Sequence, residues 1–307
     1  MPIFDIVLPT YNNMDELKNC VDHLEKQSFT DFQVFFCVDG STDGTMEYID
    51  EAGFRFDFKV LTHPNFENKG RNPTRNLVLP HLKSEFLCMI DSDIRPAENF
   101  LKKHFELLTE KKCISLGNVI YTNTKENIWA DYLQTRGKNK FNDHAVIPTY
   151  YLNSQNLAMR SEDFISVGGQ DSKMRTYGGG DTEFGYRISK LLDLPLIFNK
   201  HAVGYSEMPK TIDFALEQMI EFGSINLPYI KSKHPEFKDL FRFDLIDSSN
   251  IKSLLVKSAL NKSIYKTIYS LLPYVPQVIK RKFIHYLVFY KINEGYDKYL
   301  KNKGESF

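Results

Sequence analysis

The 307-residue sequence predicts an α/β protein: a mixed, mainly parallel sheet with helices on both faces, followed by a helical C-terminal extension. Three observations carry this. Short, near-continuous apolar runs at residues 4–8, 34–38 and 87–90 read as strands buried on both faces. Helix-period segments alternate with these runs through short connections, the pattern of βαβ units. From about Thr211 onward, apolar residues recur at three- and four-residue spacing without strand-like runs.

Taken in order, the first strand (residues 4–8) runs into the polar loop Pro9-Thr10-Tyr11-Asn12-Asn13. A helix follows over residues 15–26, with Leu17, Cys20, Val21 and Leu24 on one face. The second strand stops at Asp39-Gly40-Ser41-Thr42-Asp43-Gly44, where Thr42 or Asp43 is the expected cap of a helix through Tyr48. A short third strand spans residues 58–61. The loop from Asn65 to Gly70 then leads into a helix near residues 73–79. The fourth run, Leu87-Cys88-Met89-Ile90, ends in Asp91-Ser92-Asp93. Beyond it come a helix over 98–108 and a strand over 114–117. An irregular, lid-like stretch at 121–150 holds the sole Trp, Trp129. A strand at 152–160 and a short helix ending at Gly168-Gly169 precede a glycine-rich stretch, Tyr177 to Arg187. Its helix places Phe184, Ile188 and Leu191 inward, with Asp181 as N-cap candidate. The C-terminal pattern includes Phe214, Met219, Phe222, Leu254, Leu255, Ile264, Ile268, Leu271 and Leu272. Pro273 and Pro276 break it before it resumes at residues 283–290.

Composition is that of an ordinary globular chain, with 39 Lys+Arg against 39 Asp+Glu. The balance conceals an asymmetry. Residues 251–307 hold ten Lys and Arg281 against Glu294, Asp297 and Glu305, about +8, which leaves about −8 for the rest. Solvated helix surface and attraction to an anionic membrane or polymer are the two readings of such a tail. Strand-like residues begin at Ile3 and no apolar run reaches the ~18 residues that span a bilayer, so a cytoplasmic chain is expected. Cys20, Cys37, Cys88 and Cys113 sit in apolar surroundings without metal-type spacing and read as reduced core thiols.

In open α/β sheets ligands bind beyond the carboxyl ends of the strands. That rule brings the loops at Asn12, Asp39 and Asp91–Asp93 to one edge. Paired carboxylates there either hold a hard cation or serve as turn and capping residues. Neither a G-x-G-x-x-G nor a P-loop pattern occurs, and nothing points to a nucleic-acid partner.

Taken together in order and spacing, Pro9-Thr10-Tyr11-Asn12, Val38 to Thr45, Asn68 to Asn76 and Asp91-Ser92-Asp93 resemble the family 2 glycosyltransferases of GT-A fold. These are inverting enzymes that use nucleotide-sugar donors, and the matching stretches cover about residues 3–210. The resemblance implies a catalytic domain over 1–210 and a helical extension over 211–307. The catalytic domain divides into a nucleotide-binding half (about 1–117) and an acceptor-binding half (about 118–210). It places Thr10 and Tyr11 against the nucleobase, with Pro9 and Asn12 in the same nucleotide-sugar-binding loop, and gives Asp39 a hydrogen bond to the base, usually a uracil. Arg75 matches the basic residue at the start of the third helix that contacts the base, and Gly70 and Arg71 belong to the same loop. Asp91-Ser92-Asp93 matches the D-x-D motif, Asp93 binding Mn2+ or Mg2+ and Asp91 lying nearer the ribose. Gly178-Gly179-Gly180-Asp181-Thr182-Glu183-Phe184-Gly185-Tyr186-Arg187 resembles the family's G-G-E-D-x-E-F-G-Y-R, which assigns the catalytic base to Asp181. Gly179, Gly180, Glu183 and Asn156 fall on the acceptor side. Glu183 pairing with Arg187, and Asn156 satisfying backbone groups, are the competing structural readings.

Two departures stand out. Gly180 replaces the family's Glu, and Ser206 stands where relatives carry a metal-binding His, with His201 close by as a substitute. The resemblance implies transfer of a hexose or N-acetylhexosamine from a UDP-sugar to a saccharide or lipid-linked acceptor. The setting is bacterial surface-polysaccharide or glycolipid synthesis, with the basic tail suited to peripheral membrane attachment. A catalytically impaired binding homologue and a peptide or protein glycosyltransferase are the rival readings, and the oligomeric state is left open. A sugar nucleotidyltransferase would carry a glycine-rich loop after the first strand, where this chain has Pro9-Thr10-Tyr11-Asn12-Asn13.

Overall fold

The computed structural model describes residues 1–137, 140–236, 256 and 258–304. Four strands, β1 (Phe4–Thr10), β2 (Phe32–Val38), β3 (Asp57–Thr62) and β4 (Phe86–Ile90), run parallel in the order β3-β2-β1-β4. Successive side chains of a strand point to opposite faces. Ile6 and Leu8 accordingly enter one core with Leu17, Cys20, Val21 and Leu24, whereas Val7 enters another with Val78, Phe164 and Phe184. Both faces are covered, which is why the strands read as unbroken apolar runs. Each fully buried Leu or Ile contributes roughly 1.5–3 kcal/mol to holding the layers together. The edge strand β3 is largely exposed.

Beyond β4 the sheet continues β8-β6-β9-β5. β8 (Asn156–Arg160) is antiparallel to β4 and to β6 (Ile114–Tyr121), and β9 (Leu196–Ser206) runs parallel to β6. β5 (Ile94–Pro96) and β7 (Val146–Ile147) pair antiparallel with β9. The helices α1 (Met14–Leu24), α2 (Thr45–Glu51), α3 (Arg71–Asn76) and α4 (Phe100–Glu110) connect the first half. The residue before α2 is Gly44. Asp43, one position earlier, accepts from the Thr45 amide and hydroxyl and from the Met14 amide, so it ties α2 to α1.

Three expectations change. The stretch read as irregular contains a helix, α5 (Ile128–Arg136), capped by Asn127, whose side chain accepts from the Trp129 and Ala130 amides. Its apolar residues lie all round the helix, so no one-face period marks it, yet Trp129 and Tyr132 are buried. Helix α6 (Ser161–Ser166) precedes α7 (Gly180–Leu192), in which Leu191 is 62% exposed rather than inward; Phe184 and Ile188 carry the packing. Asp181 lies in the first turn of α7, not at its cap.

The chain divides into two compact units, Met1–Arg175 with Gly180–Met208, and Thr176–Gly179 with Pro209–Phe307. A division near 210 therefore misses the excursion of residues 176–179. The second unit contains α8 (Ile212–Glu221), a π-helical turn (Phe222–Asn226), α9 (Leu227–Lys233) and the helices Lys262–Leu271 and Gln277–Asn302. Within it, the Asn226 amide donates to the carbonyls of Thr176, Tyr177 and Gly178, at 3.1, 3.3 and 2.8 Å. The expected helical positions Leu254 and Leu255 lie outside the described residues. No helix among the described residues is long and apolar enough to cross a membrane.

Candidate active site

The carboxyl ends of β1, β2 and β4 carry loops locked to one another by short polar side chains. Thr10 Oγ1 donates to Asn13 Oδ1 at 2.6 Å, and Asn13 Nδ2 donates to Ser92 Oγ at 2.6 Å, joining the first loop to the fourth. Asn12, held left-handed at φ 46°, accepts from the Thr42 amide at 2.7 Å and donates its own amide to Ser41 Oγ at 3.1 Å. Asn is among the few residues that adopt this conformation readily. Pro9 and Thr10 are buried, whereas the Tyr11 ring is 49% exposed at the same edge. An exposed aromatic face there can stack on a planar base.

Asp39 is buried and accepts from two consecutive amides, Lys69 at 2.7 Å and Gly70 at 3.0 Å. Gly70 has φ +88°, and a Cβ there would meet the Arg175 carbonyl oxygen at 2.3 Å, so only glycine closes this turn. His63 Nε2 lies 3.0 Å from Thr74 Oγ1 and 3.5 Å from the Asp39 carboxylate. Burial pushes the His63 imidazole below its ordinary value, and Asp39 only partly opposes this.

At the end of β4, Arg75 Nη2 donates to Asp91 Oδ1 at 2.5 Å. Burial alone would raise the Asp91 carboxyl; the charges of Arg75 and Arg71 and the hydrogen bond from Arg75 reverse this and hold it below the usual carboxylate range. Arg71, unlike Arg75, is exposed. Ser92 is buried and engaged by Asn13. Cys20 lies close enough beneath that Asp93 and Asp91, after burial itself, drive its thiol upward. All four cysteines are free and buried. Among the described residues no group of three His, Cys, Asp or Glu side chains converges as a metal cage. The donors at this edge are hard carboxylate oxygens, one of them already taken by Arg75. Such a set suits Mg2+ or Mn2+ held by one or two carboxylates, with substrate phosphates supplying further oxygens.

On the far side of β4, Ser154 Oγ donates to Asp181 Oδ1 at 2.6 Å, and Gln170 Nε2 donates to Ser154 Oγ at 2.6 Å. Gln155, the next residue, gives its carbonyl to the Asp91 amide at 3.4 Å. Two adjacent residues thus contact two motifs, one at the Asp181 carboxylate and one at the Asp91 backbone amide.

Comparison with known proteins identifies the family and the architecture. The glycosyl transferase family 2 model matches residues 5–168. The chain belongs to that family. Glycosyltransferase GlyG of Streptococcus pneumoniae serotype 4 is 27% identical over 177 residues, covering 50% of this chain and 58% of GlyG. TuaG of Bacillus subtilis, described as a putative teichuronic acid biosynthesis glycosyltransferase, is 26% identical over 112 residues, 36% of this chain and 44% of TuaG. The chain thus spans about half the length of these curated relatives. Among solved structures, the mannosyltransferase PcManGT from Pyrobaculum calidifontis, in complex with GDP-Man and Mn2+, superposes with TM-score 0.62 at 16% identity, over 97% of this chain and 88% of that one. S. aureus TarS 1-349 gives 0.57 at 16% identity over 99% and 92%. The fold is GT-A.

Within this family 2 glycosyltransferase several expected site residues have other duties. Asn156 is fully buried: Oδ1 lies 2.8 Å from His104 Nε2, and Nδ2 donates to the carbonyls of Ala202 and Asn118. It satisfies backbone groups at the bulge between β6 and β9, and its placement on the acceptor side is corrected. Glu183 is likewise buried against Arg187, which also donates to the carbonyls of Val167 and Gly169, so its acceptor-side placement is corrected to a tie on the loop before α7. His201 sits on that bulge, 3.6 Å from Asp143. Ser206 is buried and pairs across the sheet with Ile94, the neighbour of Asp93. Gly180 has a local cause. A Cβ there would lie 2.8 Å from the Asn72 amide, which donates to the Asp171 carbonyl. Gly179 (φ +81°) belongs to the excursion 176–179 in the helical unit. Sequence reasoning missed Asn13, His63, Asn72, Ser154 and Gln170, since isolated polar residues carry no period. The one available signal was Gln170 directly after Gly168-Gly169.

Proposed function

We propose that this glycosyltransferase moves a hexose or N-acetylhexosamine from a UDP-sugar to an acceptor hydroxyl with inversion, in bacterial surface-polysaccharide or glycolipid synthesis. The observation that carries the reading is the pair Ser154–Gln155, which holds the Asp181 carboxylate through one residue and the Asp91 amide through the next. The proton-accepting group and the backbone of the donor-side motif are therefore tied to one loop, as displacement between two substrates requires.

In this mechanism Tyr11 stacks on the uracil, and Asp39, whose carboxylate is braced by the Lys69 and Gly70 amides, accepts from it. Asp91 faces the ribose and is held ionised by Arg75. The exposed Arg71 meets the diphosphate. Asp93, with Asp91, would hold Mn2+ or Mg2+, which when bound neutralises charge on the departing diphosphate. The acceptor oxygen attacks the anomeric carbon from the face opposite the nucleotide while Asp181 takes its proton. The bond from that carbon to the diphosphate oxygen breaks, and the nucleoside diphosphate leaves with the electron pair. Asp181→Asn should lower transfer by roughly 10²–10⁴-fold, leaving a residual single-turnover rate, with UDP binding intact; transfer at the wild-type rate would overturn the base assignment. Transfer dependent on Mn2+ also separates this reading from a catalytically impaired binding homologue.

A second reading concerns location. Tyr274 (83% exposed) and Val278 (74% exposed) lie beside Lys280, Arg281 and Lys282 in the helical unit. Apolar side chains next to a basic cluster suit the surface of an anionic membrane, and a lipid-linked acceptor would meet the enzyme there. Flotation with phosphatidylglycerol vesicles tests this. The full chain is expected to float at low salt, and Val278→Asp with Lys280→Glu to remain below; equal recovery of both would contradict it.

A further inference from the structure

A line of buried polar side chains runs through the catalytic unit between the two carboxylate motifs. Arg75 Nη2 donates to Asp91 Oδ1 at 2.5 Å and Nη1 to Gln170 Oε1 at 3.4 Å. Gln170 Nε2 donates to Ser154 Oγ at 2.6 Å, and Ser154 Oγ to Asp181 Oδ1 at 2.6 Å. Arg75, Gln170 and Ser154 are each at most 3% exposed. The line has only one direction. Guanidinium nitrogens donate and never accept, so Gln170 must turn its oxygen toward Arg75 and its NH2 toward Ser154. Ser154 accepts from that NH2 and gives its single hydrogen to Asp181. One carboxylate oxygen of Asp181 is thereby fixed as an acceptor, and Oδ2 is the oxygen left to take a proton.

Gln170 is itself held from behind. Its amide donates to Asn76 Oδ1 at 2.8 Å, and Asn76 Nδ2 donates back to its carbonyl at 2.6 Å. Asn76 follows Arg75 in α3, so both ends of the Arg75–Gln170 contact rest on one helix. Ordinary core packing does not account for three linked, buried polar residues whose donors lead outward from Arg75 to a carboxylate at each end, since an apolar trio of the same volume would avoid desolvating them.

We propose that Gln170 and Ser154 are positioning residues of the transfer reaction, aiming Asp181 from the same guanidinium that holds Asp91. The proposal rests on Asp181 being the base. Donor occupancy at Asp91 and readiness of the base are then mechanically joined, while neither Gln170 nor Ser154 touches substrate.

The test uses the full chain with UDP-sugar and acceptor in single-turnover mode, with UDP binding and thermal melting measured in parallel. Ser154→Ala and Gln170→Leu are expected to lower the transfer rate about 10- to 100-fold, the range that small misplacements of reacting groups produce, with UDP affinity unchanged. Ser154→Thr, which keeps the hydroxyl, is expected to restore most of the rate. In an Asp181→Asn background, Ser154→Ala should cost nothing further, because a residue acting through the base has nothing left to aim. Unchanged rates in the single variants, or the same fold-loss with and without Asp181, would overturn the proposal while leaving the base assignment standing. Full transfer by Asp181→Asn would instead overturn the base assignment on which it rests.

Discussion

The Arg75 guanidinium lies 2.5 Å from the Asp91 carboxylate, with side chains only 4% and 10% exposed. Two buried charges in contact are costly to separate but not necessarily stabilising as a pair. Arg75→Met, which strands the carboxylate, is expected to destabilise the chain by about 3–5 kcal/mol. Arg75→Met with Asp91→Asn should recover much of that loss while still abolishing donor binding. Chemical denaturation of the two variants beside the wild type measures both.

The same pair sets a pH response. The Asp91 carboxyl lies below its ordinary value, so the unfolded chain binds its proton first as pH falls. Its stabilising contribution is therefore complete above about pH 4, the unfolded carboxylate value, and disappears as pH falls further through the folded value. Melting temperatures followed from pH 5 downward should show a slope that Asp91→Asn reduces.

His63 acts at higher pH with the same sign. Burial lowers its folded value, so between the ordinary imidazole value of about 6.5 and that lower value the unfolded chain holds the extra proton. Stability is expected to fall as pH drops below about 6.5. Replacing His63 by Gln should flatten this step, and an unchanged slope would remove His63 from it.

Gly180 gives a steric prediction. Gly180→Ala places a methyl group 2.8 Å from the Asn72 amide and is expected to cost about 1–3 kcal/mol with reduced transfer. Asn72→Gly in the same chain opens the space and should return the stability. Restoring the family's residue with Gly180→Glu alone should not improve the enzyme.

Much of the fold was legible because strands buried on both faces and amphipathic helices leave strong periods, as at Val34 to Val38 and Leu17 to Leu24. Helix α5 was not: its apolar residues lie all round the helix, so no stripe announces the buried Trp129 and Tyr132. The loops at Asn12, Asp39 and Asp91 were placed by strand ends alone. What the sequence could not display is how a polar side chain is spent. Asn156 and Glu183 have the right chemistry for an acceptor site but are taken up by backbone carbonyls and by Arg187. Ser154 and Gln170 look unremarkable in the chain and acquire meaning only through contacts 16 residues apart and across to α7.

The proposed nucleotide-sugar site at the end of β4 is tested most directly by UDP binding, measured calorimetrically with and without Mn2+ in the wild type and in Asp93→Ala. The expected result is wild-type binding that strengthens at least tenfold with Mn2+, and an Asp93→Ala variant that melts like the wild type but shows no metal effect. Metal-enhanced UDP binding that survives intact in Asp93→Ala would contradict the assignment of this edge as the metal–diphosphate site.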